Sequence, residues 1–175
     1  MGGLVAAVVR TLVPLVILRR PLLGAVLSIV ADTCDIVIFN LLGWPSVPYH
    51  SWDKAFDLYY LTIELWVARR WLPLERWTAF VLFGWRLVGV VLLESLGWRA
   101  ALIVFPNLFE WWFLLVLCRD RWRPAYRFTP ARTAGWLVAL LVPKLGQEYA
   151  LHVARYLDRW VLADVVRSFW HRLTG

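Results

Sequence analysis

The chain has 175 residues, is 61% hydrophobic and has a mean hydropathy of +0.62, against about 45–50% apolar content in soluble domains. That excludes an ordinary water-soluble globular domain and points to a membrane protein built as a single bundle over residues 1–175. A net charge of +7 and a pI near 10.0 would suit nucleic acid, but the arginines cluster just outside apolar runs, as in cytoplasmic loops, rather than on one soluble face.

Residues 3–18 open with an apolar run interrupted by Arg10 and Pro14. It is too short to span a bilayer and is expected to lie at the interface. It lacks a basic leader with a small-residue cleavage site, and Ala6 stands where myristoylation needs Ser or Thr. The segment is therefore expected to stay attached and unmodified.

The first span is predicted over 21–43, with Pro21 suited to a first helical turn. The connector GWPSVPYHSW is read as a break at Pro45 and Pro48, with Trp44, Tyr49 and Trp52 as an aromatic belt. A second span follows over 53–71, then a turn at Pro73, a third span over 78–96 and a fourth over 101–118. The third and fourth are joined by only GWRA, which predicts a tight hairpin. After an arginine-rich loop, 119–135, comes a fifth span, 136–156. Leu157, Val161, Val165, Phe169 and Leu173 then recur at helical spacing among arginines, which describes an amphipathic surface helix over 157–173.

The expected fold is thus all-α: a polytopic integral membrane helical bundle of about five transmembrane helices, with interfacial amphipathic helices at both ends. Among the loops that precede or connect the spans, those before span one, between two and three, and between four and five hold all the arginines but Arg99. This predicts a cytoplasmic (inner) membrane location with the N-terminus inside.

Charged residues inside the spans carry the functional reading, because an ionisable group at the bilayer centre costs at least about 2.5–3.5 kcal/mol on insertion scales. Asp32 and Asp35 sit one turn apart in span one. Asp53, Asp57, Tyr60 and Glu64 follow steps of 4, 3 and 4 in span two, which keeps them on one stripe, with Leu61 and Trp66 assigned to other faces. Span three adds Arg86 and Glu94, span four Asn107 and Glu110, and span five Lys144, Glu148 and His152. Asp32, Asp35, Asp57, Glu64, Glu94, Glu110 and Glu148 make seven acids against the two bases Arg86 and Lys144, which are assigned to structural ion pairing. The excess carboxylates require water, protons or a bound cation, and predict an acidic cavity towards the outer side.

The carboxylates favour a hard cation held by oxygens. Zinc is disfavoured, because Glu148 with His152 lacks further His or Cys ligands, and haem lacks axial partners at membrane depth. Cys34 and Cys118 read as small apolar residues. Of the thirteen tryptophans, most fall near span boundaries, while Trp66, Trp85, Trp111 and Trp112 lie deeper and are assigned mainly to lipid.

The leading functional expectation is a small membrane protein that binds or conducts a cation or proton, as a homo-oligomer or as a subunit of a larger membrane complex. Two alternatives are an intramembrane lipid-processing enzyme using paired carboxylates, Asp32 with Asp35 or Asp53 with Asp57, and an accessory protein whose charges hold its helices. The expected partners are membrane lipids and no nucleic acid.

Overall fold

In the computed structural model, residues 2–41, 49–98 and 101–148 are described; they form helices joined by short turns, with no strand among them. Helix α1, Gly2–Leu12, passes at Pro14 into a 3-10 segment, Val13–Leu18. The chain then reverses at Arg19–Arg20 into α2, Pro21–Leu41. Here α2 lies so close to the 3-10 segment that a Cβ on Gly24 would collide with the backbone of Val16 and Ile17. Residues 3–18, expected at a membrane interface, therefore pack onto the bundle: Ile17 and Pro14 are buried.

Helix α3, Tyr49–Ala68, begins before the expected 53, so Tyr49 and Trp52, read as connector residues, belong to the helix. Helix α4, Pro73–Leu96, likewise starts earlier than the expected 78. Proline at its first turn costs no hydrogen bond, because that N–H has no intrahelical partner, and Glu75 complements the N-terminal dipole. It ends at Gly97, whose φ of 64° is a left-handed cap that favours glycine. This helix is long and apolar enough to cross a membrane.

The fourth predicted span, 101–118, is not one helix. It divides into α5, Ala101–Val104, and α6, Leu108–Trp122, around Phe105–Pro106–Asn107. The cause is Pro106, which offers no N–H and crowds the preceding turn. The carbonyls freed at the break are met from α4: Trp85 Nε1 donates to Val104 O at 3.3 Å and Arg86 Nη1 to Phe105 O at 3.4 Å. Gly89 makes room, since a Cβ there would stand 2.5 Å from Phe105 Cβ. Helix α7, Pro130–Glu148, begins at another first-turn proline, ahead of the expected 136. Only 123–129 of the expected 119–135 loop is non-helical. The end of the fifth predicted span and the tail at 157–173 fall outside the described residues.

Helix α6 supplies much of the core through Phe109, Trp112, Phe113 and Val116. Phe113 stacks on Trp71 at 5.2 Å, Phe83 meets Phe109 edge-on at 5.7 Å, and Trp112 lies 4.9 Å from Phe128. The exterior is apolar in turn: Val81, Val88 and Val91 on α4 and Val138 and Val142 on α7 are exposed, while Glu64, Arg86 and Arg119 are buried.

Candidate functional site

On α3, Asp57, Tyr60 and Glu64 fall within about 60° of one another at 100° per residue, and all three are buried. Leu61 lies only about 40° from Asp57 on the same reckoning and is fully buried in the core, which corrects its assignment to another face. Trp66 is exposed. The buried polar groups stand in three layers along α3 and its neighbours.

The first layer joins α1, α3 and α4. Asp57 Oδ2 is 3.5 Å from Arg86 Nη2, and Asp57 Oδ1 is 3.9 Å from Arg10 Nη2. Arg86 Nε is buried without a hydrogen-bond partner, and among the described residues the guanidinium meets Asp57 and the Phe105 carbonyl. Beside this layer a small crevice is lined by Arg10, Pro14, Ser28, Ala31, Phe56 and Tyr60.

Seven residues further along α3, about 10 Å at helical rise, stands Glu64. It is fully buried, and neither carboxylate oxygen has a hydrogen-bond partner. Among the described residues, the charge that acts on it electrostatically is a like one, Glu110 of α6. Glu110 occupies the third position of α6. Its N–H donates to Asn107 Oδ1 at 3.4 Å, and its Oε2 accepts from Asn107 Nδ2 at 2.9 Å. This reciprocal pair is an N-terminal capping arrangement, created by the break at Pro106. What reads in sequence as a polar stripe within a continuous span is the start of a helix.

The third layer pairs Glu75 of α4 with Arg119 of α6 at 2.7 Å, both buried. Arg119 Nη1 also donates to Tyr126 O at 3.0 Å, and its guanidinium lies 4.9 Å over Phe128. Its Nε is 2.8 Å from Asp120 Oδ1 but out of hydrogen-bond alignment. Trp112 Nε1 donates to the Glu75 carbonyl at 3.2 Å.

Among the described residues the buried acids are Asp57, Glu64, Glu75 and Glu110, and the buried bases are Arg10, Arg86, Arg119 and Lys144. Arg10, Glu75 and Arg119 were missed as interior groups, although a lone arginine in an apolar run is itself a signal of an inward-facing side chain. Glu94 is exposed. Asp32 and Asp35 belong to α2, Asp53 to α3, and Glu148 ends α7; their side chains, and His152 altogether, lie outside the described part of the structure. Among the described residues no three His, Cys, Asp or Glu side chains converge as metal ligands would. The described buried acids and bases are not matched one to one, because Glu64 remains unpaired beside Glu110.

No protein family, curated protein or solved structure matches the chain.

Proposed function

We propose that the chain is an integral membrane helical bundle of about five spans whose interior binds a proton or small cation at Glu64, alone, as an oligomer or as a subunit of a larger complex. The membrane setting is supported by the distribution of side chains: exposed valine and tryptophan lie along α4 and α7, while four acids and four bases are buried among the described residues. In water this arrangement would leave a large apolar surface exposed; in lipid that surface is solvated, and turning the charges inward keeps them away from the acyl chains.

The observation that carries the reading is the isolated Glu64 carboxyl. An ionised carboxylate sealed from water without a donor or counter-charge costs several kcal/mol, and a second carboxylate close by adds repulsion. A proton on Glu64 removes both penalties and a small cation bound there offsets them, while the Asn107 amide holds Glu110. The helix break next to this pair matches the rule that non-helical backbone at membrane depth is tolerated where it is enclosed by protein.

The test is thermal unfolding of the purified protein in lipid nanodiscs during titration with acid, Na⁺ or Ca²⁺. The wild type should shift in melting temperature with at least one of them, whereas Glu64→Gln should stay folded and lose that response. A wild type indifferent to all three would overturn the proposal. The accessory reading, in which interior charges only join helices, rests on the Arg10–Asp57–Arg86 layer; it would gain if Glu64→Gln and the wild type behaved alike.

A further inference from the structure

The arginines outside the bundle converge at one end of it. Residues Ser28 and Ala31 of α2 share a crevice with Phe56 and Tyr60 of α3, so in this antiparallel pair the corner Arg19–Arg20 stands level with the end of α3 at Arg69–Arg70. The Glu75–Arg119 pair and the Trp71–Phe113 stack bring the α3–α4 turn to the end of α6. The bond from Arg119 to Tyr126 draws in the 123–129 turn. Arg19, Arg20, Arg69, Arg70, Arg121, Arg123, Arg127 and Arg132 are all exposed there, and Arg76 is half-buried. Against them stands one exposed acid among the described residues of this end, Asp120.

Aromatic rings are interleaved with these cations. The Arg69 guanidinium lies 3.3 Å over the Trp66 ring, Arg76 lies 6.0 Å from Trp77, and Arg132 lies 5.2 Å over Tyr126. Trp66, Trp77 and Trp122 are more than half exposed, and Leu72 is exposed among them. From Trp77 the apolar surface continues along α4 through Val81, Trp85 and Val88.

We infer that this end is a binding surface for anionic phospholipids, with the arginines on the phosphates, the indoles at headgroup depth and the acyl chains along the apolar flank of α4. The inference rests on the membrane reading but not on Glu64. Two features together select a lipid. Clustered cations attract the phosphates of anionic lipids, and an indole belt running into an exposed aliphatic face fits an amphiphile rather than a soluble anion. Each basic group near an anionic surface contributes up to about fivefold in partitioning before salt screening.

The experiment is native mass spectrometry of the full-length chain extracted from nanodiscs containing equal phosphatidylglycerol and phosphatidylcholine. The wild type should retain phosphatidylglycerol with at least about tenfold preference. The quadruple variant Arg69→Gln, Arg70→Gln, Arg121→Gln, Arg123→Gln should lose most of it. The matching Arg→Lys quadruple variant should keep most of the preference and guards against misfolding of the Gln set. Equal retention of the two lipids by the wild type, or an unchanged preference in a folded Gln variant, would overturn the inference. So would displacement of bound lipid by a single-stranded oligonucleotide at equal concentration, which would mark a nucleic-acid surface. Recovery of the chain in the soluble fraction would instead overturn the membrane reading itself.

Discussion

Glu75 and Arg119 are sealed against each other at 2.7 Å, and a pair of this kind is most costly when half of it is removed. Arg119→Leu should destabilise the protein by about 3–5 kcal/mol, because the Glu75 carboxylate is left buried without its partner. Adding Glu75→Leu should recover much of that loss, measured as reversible denaturation of the purified protein in mild detergent. A double variant as unstable as the single would mean that Arg119 acts through Tyr126 and Phe128 instead. Leu61 offers a second check at this scale. Leu61→Ala should cost about 2–5 kcal/mol, as truncation in a packed core does, whereas Trp66→Leu on the exposed side should stay within about 0.5 kcal/mol. The stripe from Asp57 to Glu64 is visible in the sequence because helical periodicity is local. Leu61 belongs to the same buried side because it stands four residues, about 40°, from Asp57.

At the scale of the element, the α5–α6 break depends on the close approach of Gly89 to Phe105. Gly89→Ala forces the Phe105 side chain or its backbone to shift and should destabilise by about 1–3 kcal/mol. Gly84, on the same helix, has open space where its Cβ would stand. Gly84→Ala should therefore be neutral or stabilising by up to about 1 kcal/mol, through helix propensity. The sign difference between two Gly→Ala changes in one helix, read from thermal melts, tests the packing directly. Prolines are the strongest boundary signals in the chain. Applying to Pro73 and Pro130 the first-turn rule used at Pro21 would have found the starts of α4 and α7. Pro106 needed the opposite reading, an interruption inside an apolar run, and hydropathy alone hides it because the flanking residues remain apolar.

For the whole molecule, the proposed orientation puts the Arg119–Arg132 region in the cytoplasm and the Pro45–Trp52 segment outside. In a background with Cys34 and Cys118 replaced by alanine, Ser46→Cys should react with an impermeant thiol reagent in intact cells and Thr129→Cys only after permeabilisation. The reverse pattern would invert the orientation and place the arginine-rich end outside.

Composition and periodicity by themselves determined that the chain is helical, that apolar runs alternate with arginine clusters, and that Asp57, Tyr60 and Glu64 share a face. These properties depend on residues within a turn or two of each other, or on simple totals. Which charges meet was decided only in the folded chain. Arg10 reaches Asp57 and Arg119 reaches Glu75 across more than 40 residues of sequence, and neither pairing is written in the spacing of the charges along the chain. Helix periodicity assigns a side chain to a face but not to a neighbour, and the isolation of Glu64 does not exist until α3 is packed against the other helices.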